Sequence, residues 1–317
     1  MGHFPERTWA GIDVSKRHWD VVVDGNKRVY HFDADRCGSD QLLALLNEQG
    51  VTHVCLEATG GWEQGLMAAV DEHGLRVSVV NPRQVRDFAR ARGQLAKTDR
   101  IDAQMIAQFG AMMQPAPSEK PPEKQQKLRS LRARRRQVSG TLVQEKNRLA
   151  TQRDQDARRS IEDAIDFYQK QLESLDAQIK RLIQMDPEFQ QRLALLVSVP
   201  GIGDTTAAAL MADLPELGTL NRRQAARLAG LAPINRDSGT LRGKRMIGGG
   251  RATVRQGLYM ATLVAAKHNP VIRDFYQQLI RRGKAKMTAL TACMRKLLLI
   301  LNAILKDKHP WKSTHPT

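Results

Sequence analysis

The fold is decided by residues 8–32, which read TWAGIDVSKRHWDVVVDGNKRVYHF. Apolar and β-branched side chains dominate two runs, 8–13 and 19–23, and the turn-forming Asp24-Gly25-Asn26 follows the second run. Apolar runs joined by such a turn are typical of antiparallel hairpins. We therefore expect a three-stranded meander whose third strand covers residues 28–32.

Helices and strands alternate after this meander. Periodicity and turn residues predict a helix at 41–49, a strand at 53–57, a Gly60-Gly61 turn, a helix at 62–73, a strand at 76–80, and two further helices, the second at 98–113. Three consecutive strands followed by strands that alternate with helices are the order of an α/β RNase H-like (RuvC-like) domain.

The rest of the chain is predicted to be helical. Four prolines in 115–122 indicate a linker, and no proline follows until Pro187. In between, apolar residues with 4-3-4-3-4-3 spacing predict a coiled coil. We expect a catalytic domain at 1–114, a linker with coiled-coil helices at 115–189, and a mostly α C-terminal domain at 190–317. The heptad residues are Ile161, Ile165, Tyr168, Leu172, Leu175, Ile179 and Leu182.

Composition favours a polyanionic partner. The 317 residues carry a formal charge of +17, with a pI near 10.2, and nucleic acid is the commonest partner of so basic a chain, ahead of a membrane surface. The N-terminus lacks an apolar signal core, and the apolar run 297–305 is too short to span a bilayer. Three scattered cysteines indicate a reducing compartment without structural zinc. Aromatics at 5% favour recognition of backbone and shape.

Four acidic residues form the first candidate site. Asp13 and Glu57 each end an otherwise apolar strand, and Asp99 and Asp102 share one face at a predicted helix start. Converging carboxylates repel one another unless divalent cations lie between them, and oxygen ligands select Mg²⁺ or Mn²⁺. Two such ions can clamp the attacking and leaving oxygens of a phosphodiester. Alternatively, each acid taken singly is a structural or solvated residue.

The second candidate site is Ser238, which lies in a glycine- and arginine-rich segment. Residues 222–255 contain nine Arg or Lys residues and a single acid, Asp237. The segment around the serine has no histidine that could act as its base. This disfavours a protease-like triad and suits a hydroxyl that attacks a phosphate, although turn chemistry alone also explains a loop serine. We predict phosphate contacts from Arg236, Arg242, Lys244 and Arg245.

Two further segments are candidates for binding nucleic acid. A run of arginines crowds two helical turns before the heptads; the alternative is a solvated helix face. The segment Val199-Pro200-Gly201-Ile202-Gly203 looks like the hairpin of a helix-hairpin-helix element, in which Gly201 and Gly203 would present amides to phosphate; a tight interhelical turn explains it equally well. The arginines are Arg129, Arg132, Arg134, Arg135 and Arg136.

Six ordered motifs resemble those of the DEDD-type insertion-sequence transposases, which are bridge-RNA-guided serine recombinases. The resemblance extends over nearly the whole chain. The motifs are Gly11-Ile12-Asp13-Val14-Ser15-Lys16, Leu56-Glu57-Ala58-Thr59-Gly60, Lys97-Thr98-Asp99-Arg100-Ile101-Asp102-Ala103, Val199-Pro200-Gly201-Ile202-Gly203, Leu228-Ala229-Gly230-Leu231-Ala232-Pro233, and Ser238-Gly239 with Arg242-Gly243.

This resemblance implies roles for particular residues. Asp13, Glu57, Asp99 and Asp102 would hold Mg²⁺, and Ser238 would attack the scissile phosphate to leave a 5′-phosphoserine link. It further implies double-stranded donor and target DNA, a noncoding guide RNA that reads sequence by base pairing, and dimers that assemble into tetramers in the bacterial cytoplasm, near the nucleoid and not in a membrane. The heptad segment is a candidate dimer seam.

One departure and two alternatives stand beside this interpretation. Gly-Thr-Leu-Arg-Gly follows the serine where small polar residues are equally expected, which bears on loop shape and rate. A RuvC-like nuclease or resolvase would use metal-activated water, with Ser238 only binding phosphate. A nonenzymatic nucleic-acid-binding protein would act through charge alone, but it has no use for four acids near its polyanion.

Overall fold

A computed structural model describes residues 8–26, 28–94, 96, 99–235, 238, 243 and 245–312, without the side chains of Asp99 and Arg100. The chain divides into two compact units, with the boundary between Lys120 and Pro121. The division into three domains stays a prediction.

The first unit contains a five-stranded sheet with the order β3-β2-β1-β4-β5. β1 pairs antiparallel with β2, which pairs antiparallel with β3, whereas β1, β4 and β5 run parallel. The meander is therefore confirmed, as are the limits predicted for the fourth and fifth strands. The strands are β1 (Trp9–Val14), β2 (His18–Val23), β3 (Tyr30–Asp33), β4 (His53–Glu57) and β5 (Arg76–Val80).

Four helices accompany this sheet: α1 (Arg36–Glu48), α2 (Glu63–Glu72), α3 (Pro82–Ala91) and α4 (Asp99–Met113). α1 begins five residues before the predicted start, because the Asp35 carboxylate accepts a hydrogen bond from the Gly38 amide at 2.8 Å and caps the helix. The apolar pattern, which starts at Leu42, gave no sign of this first turn.

α4 lies against one face of the sheet at backbone contact distance. A Cβ added at Gly11 would collide with the Ala107 amide nitrogen and lie 2.6 Å from the Ala103 carbonyl oxygen. Near the other end of the helix, a Cβ at Gly110 would lie 2.7 Å from the Trp9 ring. The helix therefore runs antiparallel to β1, and its first turn lies towards the carboxyl end of that strand.

The proline-rich linker is anchored on the sheet edge. The Ser118 amide donates to the Val77 carbonyl at 2.7 Å, and the Val79 amide donates to the Ser118 hydroxyl at 2.9 Å. The Ser78 hydroxyl donates to the Pro115 carbonyl at 2.9 Å. The predicted linker thus contains residues that occupy the free edge of β5.

The second unit begins with two long helices, α5 (Glu123–Thr151) and α6 (Gln155–Gln184), which pack against each other as an antiparallel hairpin. A 30-residue helix is about 45 Å long. Ile165, Leu175 and Ile179 of the heptad pattern are buried in the described chain. The heptad face thus contacts α5 of the same chain.

The remaining helices form a core around the last of them. Leu297, Leu298 and Leu301 of α12 are fully buried. The apolar run 297–305 belongs to a longer helix: α12 is long and apolar enough to cross a membrane by length and composition alone, and 56% of its apolar window is buried in the described chain. The elements are α7 (Pro187–Val197), α8 (Asp204–Asp213), α9 (Arg222–Leu228), β6 (Pro233–Ile234), β7 (Met246–Ile247), α10 (Ala252–His268), α11 (Pro270–Arg281) and α12 (Lys286–Asp307).

Replacing Gly11 with alanine is expected to destabilise the first unit by about 3 kcal/mol, because the new methyl group collides with the α4 backbone, which cannot move without losing its contacts with the sheet. Urea unfolding measures this change. Gly65→Ala in α2 is the matched control: its Cβ would meet no described atom within 4 Å, so helix propensity should stabilise it by up to about 1 kcal/mol. Equal stability of the two variants would contradict the close approach.

Candidate active site and basic loop

Asp13 and Glu57 are neighbours at one end of the sheet. Ile12 pairs with Leu56 in the parallel ladder, and the two acids are the next residues in register. Parallel strands lie about 4.8 Å apart, and residues in register point to the same face. Both side chains are half-buried. The sequence-based prediction that two strands bring these acids together therefore agrees with the register.

α4 brings Asp102 to the same place. Gly11 and Asp13 share a sheet face because side chains alternate along a strand, and Gly11 touches Ala103, the residue after Asp102. The half-buried Asp102 lies in the first turn of the helix, on the side of β1 where Asp13 lies. Three of the four predicted acids thus belong to one end of one layer.

The fourth acid, Asp99, is the first residue of α4, but its side chain lies outside the described part of the structure. Among the described residues, no group of three or more His, Cys, Asp or Glu side chains is placed to hold a metal ion. Asp13, Glu57 and Asp102 each take part in interactions within the described chain. The donor set consists of oxygen ligands only, which suits a hard divalent cation.

One acid of this layer was missed by the sequence reasoning. Asp20 of β2 pairs with Asp13 across the antiparallel ladder, so the two side chains share the α4 face. Asp20 is only 3% exposed, and its carboxylate accepts a hydrogen bond from Nδ1 of His31 on β3. The signal was an acid inside an apolar strand, the same signal that marked Asp13.

Burial and the negative charge of this site both raise the pKa of Cys55. Burial raises the pKa of its thiol to about 12, and the charge of Glu57, two residues further along β4, adds to the increase. The thiol is therefore protonated at neutral pH and unreactive. All three cysteines lie in the described chain and are free thiols.

The loop after Glu57 is held by a single carboxylate. Glu63 accepts hydrogen bonds from the Thr59 hydroxyl at 2.7 Å, the Thr59 amide at 3.1 Å and the Gly61 amide at 2.8 Å. Burial acts to raise the pKa of Glu63, but these hydrogen bonds outweigh it, and the pKa is lowered. Gly60 and Gly61 adopt positive φ values of 83° and 138° in this loop.

Ser238 lies between the two short strands of the second unit. β6 and β7 pair antiparallel, with Ile234 opposite Met246, and form the two strands of a hairpin. Ser238 is exposed there, as is Arg245. Arg236, Arg242 and Lys244, which we predicted to contact phosphate, lie outside the described residues.

The base of this hairpin is fixed by backbone packing. A Cβ at Gly250 would collide with the Gly230 amide nitrogen and lie 2.6 Å from the Leu228 carbonyl oxygen. The Arg255 guanidinium donates to the Gly249 carbonyl at 2.8 Å. These glycines therefore permit a close approach between two segments of the chain.

The side chain of Arg251 connects the segment after β7 to the loop between α8 and α9. Its guanidinium donates to both oxygens of Glu216 at 2.6 and 2.7 Å, and to the Asp213 carbonyl at 3.0 Å. Burial acts to raise the pKa of Glu216, but hydrogen bonds from Arg251 and from its own backbone, with the charges of Arg251 and Arg129, lower it overall. The carboxylate is thus stabilised by the arginine.

The five arginines of α5 that are candidates for binding nucleic acid differ in their surroundings. Arg135 binds Asp176 of α6 through two hydrogen bonds of 2.5 and 2.8 Å, and Arg136 lies 3.5 Å from Asp213. Burial, and then the nearby Arg135, lower the pKa of Arg132, whose Nε has no hydrogen-bond partner among the described residues. Arg129 and Arg134 are exposed. That these arginines contact nucleic acid stays a prediction, and the exposed Arg129 and Arg134 are the best placed to do so.

The Gly201–Gly203 turn joins α7 to α8. Gly201 has a φ of 103°, and a Cβ there would lie 2.7 Å from the Ala265 side chain of α10. Its glycine is therefore explained by packing. Gly203 is the exposed N-cap of α8, and its role in phosphate binding stays a prediction.

A basic groove between α11 and α12 was not predicted. Its volume is about 620 Å³, and Lys296 lies 4.4 Å from the centre of the Phe275 ring. Arg281 and Arg282 line the same groove, with Asp274 as its acid. No local sequence pattern indicates this groove, because its cations belong to two separate helices.

A mixed sheet in the order β3-β2-β1-β4-β5, with acids at the ends of β1 and β4, is the arrangement of an RNase H-like domain. A transposase model of the DEDD, IS110 type matches residues 10–155, and the model of the transposase IS116/IS110/IS902 family matches residues 193–277. The chain belongs to the IS110 family of insertion-sequence transposases, enzymes that cut and rejoin DNA.

Relatives extend over almost the whole chain. The pilin gene-inverting proteins of Moraxella lacunata and Moraxella bovis are each 28% identical over 320 residues, covering 96% of this chain and 98% of theirs. The insertion element IS116 uncharacterized 44.8 kDa protein of Streptomyces clavuligerus is 25% identical, with 98% of each chain covered. The resemblance seen in the six motifs is thereby confirmed at the level of the family.

Glu216→Gln is expected to lower the free energy of unfolding by about 1 kcal/mol at pH 7, because it removes the charge that Arg251 binds at a partly exposed site. Since the folded pKa of Glu216 is depressed, its contribution is present above the unfolded pKa, about 4.3, and is lost as the pH falls through the folded value.

The difference between wild type and this variant should therefore shrink between pH 7 and pH 3.5, as measured by urea unfolding. Glu173→Gln, at an exposed position on α6, is the control and should differ little from wild type at either pH. A Glu216→Gln deficit that stays constant across this range would show that the ion pair does not stabilise the loop base.

Proposed function

We propose that the chain is a recombinase that cuts and rejoins DNA through a metal-assisted Ser238 nucleophile. The observation that carries this proposal is the convergence of Asp13, Glu57 and the first turn of α4 at one end of the sheet. Ser238 in turn is exposed, and in the chain it lies between the paired strands β6 and β7, in a segment rich in arginine. An acidic centre and an accessible hydroxyl are the two parts that a phosphoryl-transfer enzyme of this kind needs.

Asp13, Glu57, Asp99 and Asp102 are the residues that would hold Mg²⁺ or Mn²⁺. When bound, such ions polarise the phosphate and stabilise the negative charge that develops on its oxygens. The sheet and α4 hold three of these carboxylates in place. Asp13 and Glu57 lie on strands, and Asp102 lies in a helix whose backbone touches that of the sheet.

Ser238 would act on the scissile phosphate. Its Oγ forms a bond to phosphorus, the bond from phosphorus to the 3′-oxygen breaks, and the proton lost by the serine is balanced by the one taken up by the 3′-hydroxyl. In the second step a 3′-hydroxyl of the other DNA attacks the phosphoserine and releases the serine. Arg236, Arg242, Lys244 and Arg245 would neutralise the phosphate during both steps.

A noncoding guide RNA is the proposed source of sequence specificity, with double-stranded donor and target DNA as substrates. The formal charge of +17 supports binding to several polyanions, while aromatic residues, on which bases could stack, make up only 5% of the chain. The exposed Arg129 and Arg134 and the groove at Arg281, Arg282 and Lys296 are suited to phosphate contacts.

We also propose a dimer that assembles into a tetramer, in the cytoplasm and near the nucleoid. Val143 and Phe167 of the α5–α6 hairpin are largely exposed apolar side chains, which supports contact with a second copy along the hairpin. The alternatives are a nuclease that uses water and a nonenzymatic basic protein. Family membership favours an enzyme over the latter.

Wild type incubated with Mg²⁺, DNA carrying the ends of its element and RNA transcribed from that element is expected to form a protein–DNA adduct on denaturing gels. Ser238→Ala should lose the adduct completely, because no other oxygen replaces Oγ. Ser160→Ala, at an exposed position of α6, is the control and should keep it. Free nicked ends from both wild type and Ser238→Ala would establish a water-using nuclease.

Asp102→Asn is expected to reduce strand cleavage by more than the roughly 100-fold that loss of an outer partner of a metal site costs, because it removes a direct ligand. Affinity for DNA should change less than 2-fold, since binding rests on Arg and Lys. Gel assays and filter binding measure the two effects, and Asp71→Asn on the exposed face of α2 is the control. A large loss of affinity would contradict this division of labour.

A further inference from the structure

One tryptophan stands apart from the other three. Trp9 and Trp19 are 2% and 7% exposed and belong to the sheet core, and Trp311 is partly buried. Trp62 is 55% exposed, although it is the largest side chain type that a protein can bury. Single exposed apolar residues are common, so its location decides whether it has a function.

Trp62 lies at the acidic end of the sheet. It belongs to the loop that leaves β4 directly after Glu57, at the start of α2. The ammonium group of Lys16, which is exposed in the segment after β1, lies 5.7 Å from the centre of the Trp62 ring. The two segments that carry Asp13 and Glu57 therefore meet through this cation and this ring.

The loop that carries Trp62 is preorganised. Glu63 accepts three hydrogen bonds from Thr59 and Gly61, which closes the loop on the residue next to the tryptophan. Its lowered pKa shows that these bonds favour the charged carboxylate at neutral pH. An exposed ring on a fixed loop loses little conformational freedom when a ligand stacks on it.

We propose that Trp62 and Lys16 bind one unstacked nucleotide of the DNA strand next to the scissile phosphate. The indole ring stacks on the base, and the ammonium group binds the adjoining phosphate. This inference rests on the proposed function, because it assigns the nucleotide to a strand in the acidic site. Trp62 is a positioning residue: it places the strand and takes no part in bond making.

The low aromatic content is consistent with a single such position. Proteins that bind single strands along their length use several exposed rings, whereas here one exposed tryptophan would take one base. Stacking on an aromatic ring does not depend on which base is present, because every base has a π-face. A sequence-tolerant contact is what an enzyme needs when another molecule selects the target.

The test compares two probes of equal length and charge, an oligothymidine and the same oligomer with every base removed. Binding to the full chain is measured by fluorescence anisotropy with Ca²⁺ in place of Mg²⁺. Wild type should prefer oligothymidine by at least about 5-fold, since stacking of one base has this effect or more. Trp62→Ala should bind the two probes equally, and Trp62→Phe should keep most of the preference.

Met113→Ala, which removes an exposed apolar side chain elsewhere in the first unit, is the matched control and should keep the wild-type preference. Tryptophan emission gives a second readout: oligothymidine should quench the exposed component in wild type, and this component is missing in Trp62→Phe. An equal base preference in wild type and Trp62→Ala would overturn the proposal.

Cleavage by wild type in Mg²⁺ is assayed separately, so the two proposals can fail independently. A base preference that depends on Trp62 supports the stacking position even if no DNA is cut, and in that case only the recombinase assignment falls. Cleavage without any base preference at Trp62 would overturn the stacking position and leave the recombinase assignment in place.

Discussion

The first unit depends on the approach of α4 to β1 at Gly11. No side chain separates the helix and strand backbones there, so the helix is held at a fixed depth and in a fixed direction. The direction matters because it sets the first turn of α4, with Asp99 and Asp102, above the end of β1 that carries Asp13. A larger residue at Gly11 would therefore change the distance between Asp13 and the acids of α4, although none of the acids is itself replaced.

Much of this arrangement can be predicted from the sequence because it is encoded locally. The limits of β4 and β5 follow from short apolar runs between turn residues, and an acid at the end of such a run marks Asp13 and Glu57. The start of α1 was missed because a cap depends on one side chain at Asp35, not on periodicity. Asp20 was missed because its neighbours, Asp13 and His31, come from other strands.

The second unit shows the limit of reasoning from charge. The cluster of arginines in α5 looks uniform in sequence, but Arg135 and Arg136 form ion pairs with acids on α6 and α8. Arg129 and Arg134 are exposed, as is Arg136 despite its ion pair. The partners of Arg135 and Arg136 are 41 and 77 residues away along the chain, so no local pattern identifies them. In the same way, Arg251 belongs to the basic segment 222–255 in the sequence, but in the structure its guanidinium binds Glu216.

The linker along β5 also protects the sheet. A strand at the edge of a sheet presents unpaired amides and carbonyls to which another chain can add, and the extended residues 115–118 occupy these groups on Val77 and Val79. The stretch that joins the units thus serves as a cover against strand-to-strand aggregation. A fragment ending at residue 114 would keep the acids but expose the edge of β5. The shortest fragment of the acidic domain that stays in solution is therefore expected to include residues 115–118.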